Sequence, residues 1–241
     1  MTGTLRALGV EAGMWVMVHA SMRSLRALDG GADALLDAIE GAVGMQGTMC
    51  MMIAADDSVA FDPTITAAAG ENGVLAEVFR CREGVLVNDH PACRFAAFGP
   101  DADILLHPQP LHDYYGPGSP LARFYEHGGA VLRFGADIGT VTLTHYAEYL
   151  AQVPNKRRVT RRYTLVASGG VGVNSLDDSD GIAQWPHGDY FEQILHDYLS
   201  DGHAQTITFA TCAIEMLDAR QFVDYAVEWL NTAFGDDAQT A

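Results

Sequence analysis

The sequence predicts an α/β sandwich, a sheet with helices packed on both of its faces. Two observations carry this expectation. Short apolar runs of strand length alternate with segments of helical period along the chain. The 241 residues are 49% hydrophobic, enough to fill one large core. "MWVMVHA" (14–20) reads as a buried strand, and "GADALLDAIEGAVG" (31–44) as an amphipathic helix with Leu35, Leu36, Ile39 and Val43 on one side. "GTMCMMIAA" (47–55) is a second buried strand, completing a β-α-β opening. "GVLAEVFRC" is read as a helix, and "FAAFG" and "AVLRFGA" as strands. "SPLARFYEHGG" is a helix bounded by Ser119 as N-cap, Pro120 at its first position and Gly128 as its stop. "RYTLVAS" and "TITFATCAIEML" supply later strands, and "DARQFVDYAVEWLNTAF" a closing amphipathic helix. No repeat, linker or charge break divides the chain, so a single domain over 1–241 is expected, with frayed ends at 1–7 and 235–241.

Composition narrows the function. No apolar run reaches the roughly 18 to 20 residues of a membrane span, and "MTGTLRALGV" lacks the basic-then-apolar build of a signal peptide, so a cytoplasmic protein is expected. Cys50, Cys81, Cys93 and Cys212 form no CxxC pair and read as buried free thiols. The formal charge of −17 opposes nucleic acid and anionic membranes and favours cationic partners, although acidity also serves solubility. Five basic residues gather in "KRRVTRR" (Lys156, Arg157, Arg158, Arg161, Arg162), a solvated face or a meeting point for phosphate.

Loops that follow strands are where α/β folds hold ligands. "HASMRSL" brings Ser21, Arg23 and Ser24 behind a buried strand, where hydroxyls, a guanidinium and backbone N–H groups suit a phosphate or an amide-rich ligand. "AADDSVAFDP" places Asp56 and Asp57 after the second strand, where paired carboxylates suit an ammonium group or simply form a turn. "NSLDDSDGI" packs Asp177, Asp178 and Asp180 together without the spacing of a calcium loop. His90, His107, His112, His127, His187, His196 and His203 show neither HExxH nor HxH, so no metal site is expected. Ser21, Ser119 and Cys93 are the candidate exposed nucleophiles, but none sits in a G-x-S-x-G elbow.

One stretch stands apart. In "TVTLTHYAEYLA" (140–151) a β-branched run turns into a helix at His145, with Glu148 on the same face and Tyr146, Tyr149 and Leu150 available for the buried side. His145 is therefore the strongest single candidate for proton transfer, with a carboxylate to orient it.

That stretch, followed by "VPNKRRV" and joined by "VHASMRSL", "GGADALLDAIEGAVG", "NDHPACRFAAFGPDA" and "YGPGSPLARFYEHGG", resembles the aminoglycoside 3-N-acetyltransferase family. The resemblance runs in family order from about Leu8 to Phe234. It implies the single α/β/α sandwich of that family, acetyl-coenzyme A as co-substrate with no metal, and a 2-deoxystreptamine aminoglycoside acetylated at its 3-amino group. The small-molecule partners are thus a polycationic antibiotic and coenzyme A, bound by a monomer or homodimer. Carried over to this sequence, the catalytic histidine is His145. The coenzyme loop is Ser21, Arg23, Ser24 and Leu25, with the Thr142 and Thr144 hydroxyls beside the acyl-transfer point. The acidic acceptor pocket is Asp56, Asp57 and the cluster ending at Asp180, and Glu148 joins the acceptor side in a supporting or structural role. Family members often carry a further acidic residue where this chain has Asn174 or Ser175, which makes Asp177 or Asp178 the expected partner of His145. Only Ser58, Val59 and Ala60 separate "ADD" from "FDP", where several members have a long insertion, so a more open acceptor pocket is expected.

The chemistry then accounts for the histidine. A protonated amine cannot attack a thioester, and an imidazole with an ordinary pKa of roughly 6.5 suits proton removal near neutral pH. A carboxylate fixes its tautomer, and no covalent acyl-enzyme is required. Three other readings share these residues. An acetyltransferase acting on another primary amine keeps His145 but needs fewer carboxylates, a coenzyme A thioester hydrolase uses the histidine with water, and a coenzyme A-binding module needs no His145.

Overall fold

The structure, a computed structural model, describes residues 1–235. Residues 1–7 do not fray: helix α1 (Thr2–Leu8) forms because Leu5 and Leu8 have a core to enter, and Gly9, at φ 112°, stops it. The expected frayed tail, apart from Gly235, lies outside the described residues. The opening unit is β1 (Trp15–Ala20), α2 (Gly31–Val43) and β2 (Thr48–Met52). Next come α3 (Gly73–Arg80), β3 (Leu86–Val87), β4 (Phe95–Phe98), α4 (Ala102–Leu105), α5 (Pro120–His127), β5 (Ala130–Phe134) and α6 (Leu143–Leu150). The chain closes with β6 (Arg158–Leu165), β7 (Gly169–Leu176), α7 (Tyr190–Ser200), β8 (Gln205–Phe209), β9 (Cys212–Asp218) and α8 (Ala219–Phe234). Helix α5 has the expected cap: Ser119 Oγ accepts from Ala122 N at 3.1 Å, and Gly128 ends the helix at φ 85°.

Seven strands form one mixed sheet in the order β3-β4-β2-β1-β5-β9-β8, and β6 and β7 pair as a separate ribbon. Only β2-β1-β5 run parallel; the outer pairings are antiparallel. Strand residues alternate between the two faces. Val16, Val18, Met49, Met51 and Leu132 pack under α1, α2 and α3, whereas Trp15, Met17, Cys50, Val131 and Leu217 pack under α4 to α8. Helices thus cover both faces, as the alternating pattern predicts. Among the described residues no helix is long and apolar enough to cross a membrane.

Strand β1 sends its crossover through α2 to β2 on one side, while β5 lies on its other side. The loops leaving β1 and β5 therefore diverge and open a cleft at the carboxyl ends of the parallel strands. They touch where Gly135, at φ 55°, leaves only enough room for Ser24: a Cβ there would meet Ser24 Cβ at 2.5 Å.

Candidate functional site

The β5–α6 loop delivers His145 from the first turn of α6. Its Nδ1 lies 3.1 Å from Glu148 Oε2, the i,i+3 pair that shares one face of the helix. Glu148 is 1% exposed, and its other oxygen accepts a bond from the Tyr190 hydroxyl at the start of α7. Burial, then the Glu148 charge, pushes the Tyr190 phenol well above its ordinary range, so it stays a donor. Tyr115 stacks on the imidazole (ring centroids 4.7 Å apart, planes at 9°), and Phe191 meets it edge-on at 4.8 Å. The ring is fixed by a carboxylate at one edge and by aromatic contacts on its face and side.

Two clefts meet at His145. One, of about 750 Å³, is walled by Asp180, Trp185, Asp189 and Phe191; the other, of about 620 Å³, by Met52, Asp56, Asp57, Glu71 and Tyr163. Asp178 and Ser179 line both. The basic run leading into β6 keeps a solvated face, with Arg157, Arg158 and Arg162 exposed, while its guanidinium groups also organise this region. Arg161 donates to Asp178 Oδ1 from Nε at 2.9 Å and from Nη2 at 2.6 Å, reaches Ser179, and lies 3.7 Å from Asp57. Arg157 holds the following loop by its main chain, donating to the carbonyls of Asp180, Gly181 and Ala183. Arg158 pairs with Asp113.

A third cleft, narrower at about 320 Å³, opens between the β1 and β5 loops and is lined by His19, Ser21, Met52, Asn72, Thr140 and Thr142. Met52 and Glu71 border both this cleft and the Asp56–Asp57 cleft. Among the described residues the Thr142 hydroxyl has only a long contact, 4.0 Å to Met52 Sδ, whereas Thr144 N and His145 N are already bonded to the carbonyls of Val141 and Thr142.

Several expectations change against this geometry. Neither Asp177 nor Asp178 partners His145; Glu148 does. Asp177 Oδ1 instead accepts from Ser179 N and Asp180 N and closes its own turn, and Asp178 is held by Arg161 and the Tyr114 hydroxyl. Glu148, sealed behind the histidine, does not face an acceptor pocket. Asn174 and Ser175 sit on β7, bonded to His112 Nδ1 and the Tyr149 hydroxyl. Of the expected coenzyme residues, Ser21 and Thr142 line the narrow cleft. Leu25 is buried among the apolar residues below α2, and Thr144 is 1% exposed in the first turn of α6. Arg23 is exposed, and Ser24 Oγ donates to Gly135 O at 3.2 Å, tying the two loops together. Ser119 and Cys93, candidates for exposed nucleophiles, are fully buried, Cys93 in keeping with its other reading as a buried free thiol, and burial pushes the Cys93 thiol far up. Cys81, by contrast, is exposed, as is Leu150.

Asp56 and Asp57 both line the acceptor-side cleft; Asp56 also accepts from Ser58 N and Oγ, which holds its carboxyl below the usual range. His90 is structural: its Nδ1 accepts from Ala92 N and Cys93 N, and its Nε2 donates to Leu111 O. Tyr115, Tyr190, Phe191 and Glu71 were not singled out by the sequence. Only Tyr190 carried a local signal, following Asp189, whose side chain accepts from Phe191 N as a helix cap.

Comparison with known proteins places this geometry. Residues 17–231 match the family model described as aminoglycoside 3-N-acetyltransferase. The chain is 32% identical to aminoglycoside N(3)-acetyltransferase VIII of Streptomyces fradiae, over 97% of this chain and 91% of that one. It is also 32% identical to aminoglycoside N(3)-acetyltransferase III of Pseudomonas aeruginosa, over 99% and 94%. Among solved structures it superposes on AAC-IIIb in binary complex with CoASH at a TM-score of 0.89, with 31% identity over 98% of this chain and 96% of that one. AAC-VIa bound to sisomicin gives a TM-score of 0.89, with 33% identity over 97% and 96%. With a family match from β1 to α8 and relatives about one-third identical over nearly its whole length, the chain belongs to the aminoglycoside 3-N-acetyltransferase family.

Proposed function

We propose that this protein transfers an acetyl group from acetyl-coenzyme A to the 3-amino group of a 2-deoxystreptamine aminoglycoside, by direct attack with His145 as general base. One observation carries the reading: His145, backed by a buried carboxylate, stands where carboxylate-lined clefts meet, next to a narrow cleft at the switch point of the sheet. Solved relatives hold CoASH in one case and sisomicin in another, which supports a donor side and a polycation side in this chain as well.

The donor side fits the group. The 320 Å³ cleft suits a thin, flexible arm, with hydroxyls at Ser21, Thr140 and Thr142 for its amides, and exposed Arg23 and Arg26 on the β1 loop for its phosphates. On the acceptor side, Asp56, Asp57 and Asp180 present carboxylates to the ammonium groups of the antibiotic, and Arg161 keeps Asp178 in place between them.

The steps follow from the bonds. Glu148 accepts from His145 Nδ1, so Nε2 is left with its lone pair. Nε2 takes a proton from the attacking amine as the C–N bond forms, and Glu148 stabilises the imidazolium. The Thr142 hydroxyl, without a strong partner, supplies a donor for the developing oxyanion. As the C–S bond breaks, Nε2 returns its proton to the departing thiolate. Cys93, sealed away with its thiol strongly protonated, takes no part as an acyl acceptor.

The test is thiol release from acetyl-coenzyme A with and without gentamicin, followed by NMR of the product. Acetylation at N3 dependent on antibiotic supports the reading. Release at the same rate without any amine would make the protein a thioester hydrolase, and turnover with small amines alone would favour another acceptor.

A further inference from the structure

His19 stands one residue from the end of β1, on the strand that forms one wall of the narrow cleft. Strand alternation puts it on the α6 side of the sheet, with Trp15 and Met17, and therefore on the side that carries His145. It is nine-tenths buried, and its Nε2 has no hydrogen-bond partner among the described residues. Such orphaned buried polar atoms are rare in folded proteins and call for an explanation.

The neighbouring elements do not supply one. On β5 the register partner of His19 is Arg133, a donor-only group whose nitrogens are committed to Glu215 and to the carbonyls of Ala136, Asp137 and Thr140. On the β2 side the cleft is lined by Met51 and Met52. Burial, reinforced by the Arg133 charge, lowers the His19 pKa to about 3, so the ring stays neutral and offers one donor and one acceptor.

We propose that His19 is a donor-binding residue, its free ring nitrogen hydrogen-bonding an amide of the pantetheine arm as the arm passes from the switch-point cleft over Met52 towards His145. The inference rests on the acetyl-coenzyme A reading above. An arm with two amides presents both carbonyl acceptors and N–H donors, so either imidazole tautomer finds a partner. The cleft is half the volume of its neighbour beyond Met52, about 320 against 620 Å³, and fits a chain better than a ring system. Among the described residues no other imidazole lines it.

The experiment uses the full chain labelled with ¹⁵N-histidine, titrated with coenzyme A while calorimetry follows binding. The expected result is that saturation moves a ring nitrogen of His19, assigned through the His19→Gln variant, with the ring neutral from pH 5 to 8. His19→Gln, which keeps a donor and an acceptor, should hold the acetyl-coenzyme A KM within about threefold, whereas His19→Leu should raise it roughly tenfold with the aminoglycoside KM unchanged. A purely structural histidine would lower the melting temperature of both variants without this split in KM. Coenzyme A that binds the wild type yet leaves the His19 resonances in place would overturn the inference alone, as would a folded His19→Leu protein with the wild-type KM. If coenzyme A does not bind the wild type at all, the acetyl-donor reading falls and the inference with it.

Discussion

Replacing Glu148 with glutamine tests the dyad at its least ambiguous point. The substitution keeps the shape of a side chain that is 1% exposed, removes its charge, and turns one of its two acceptor oxygens, which serve His145 Nδ1 and the Tyr190 hydroxyl, into an NH2 donor. Because Nδ1 and Oε2 are 3.1 Å apart, an imidazolium forming at His145 lies roughly 4 Å from the carboxylate centre, worth about 4 kcal/mol at an effective dielectric of 20. A glutamine oxygen still accepts from Nδ1 and retains at most about half of that, leaving a loss on the order of 2 to 4 kcal/mol in the transition state. At about 1.4 kcal/mol per factor of ten, kcat should fall roughly 30- to 1,000-fold. The acetyl-coenzyme A KM should stay within twofold, because Glu148 touches neither the narrow cleft nor its loops. Steady-state thiol release at saturating antibiotic measures both constants, and thermal melting confirms that the variant is folded. A folded Glu148→Gln enzyme with kcat within threefold of wild type would refute the dyad and reduce the pair to a helix contact.

Other consequences are as direct. Asp56→Asn and Asp57→Asn should raise the aminoglycoside KM several-fold each, and added salt should shrink the difference from wild type by screening; KM values unchanged at low salt would make these residues ordinary turn formers. Gly135→Ala, which needs φ 55° and drives a Cβ to 2.5 Å from Ser24, should cost about 1 to 3 kcal/mol in denaturant unfolding and raise the donor KM, and a variant as stable as wild type would show that the two loops can separate freely. His19 predicts the pH dependence of stability. Its folded pKa of about 3 lies below the ordinary value near 6.5, so the unfolded chain binds the proton first as pH falls. Stability held above pH 6.5 is therefore lost progressively towards pH 3, at up to about 1.4 kcal/mol per pH unit from this residue, and His19→Leu should flatten that part of the curve.

The parts of the molecule that were legible in its sequence are those whose causes are local. Helices α2, α5 and α8 follow from periodicity and caps, β1 and β2 from apolar runs, and His145 from its place where a loop becomes a helix. Strand β7 was hidden because Gly169, Gly170 and Gly172 have poor strand propensity; its partner β6 supplies the ladder that residue preference does not. Helix α1, of seven residues, is too short to carry a periodic signal of its own and is held by the core below it. At the site, the carboxylates of 177–180 drew attention by density, yet density could not tell a turn-closing Asp177 from a pocket-lining Asp180. Glu148 was visible beside His145, but its burial depends on Tyr190, 42 residues away, and the stacking of Tyr115 comes from a loop 30 residues upstream. Such long-range contacts leave no periodic trace in the chain.

The grip of Arg157 has a bearing on how this pocket can change over generations. The guanidinium holds the 180–183 loop through carbonyl oxygens, and every residue type carries the same carbonyl. Gly181, at φ 73°, and the buried Ile182 also fix the course of the loop, but the side chains of Asp180 and Ala183 make no such contribution, and these two line the cleft where an acceptor would lie. Substitutions at 180 and 183 can alter charge and bulk against the antibiotic while the wall stays in place, so new acceptor preferences are accessible by single steps that do not first cost the fold. Arg157 itself has no such freedom, since lysine cannot reproduce its fork across three carbonyls.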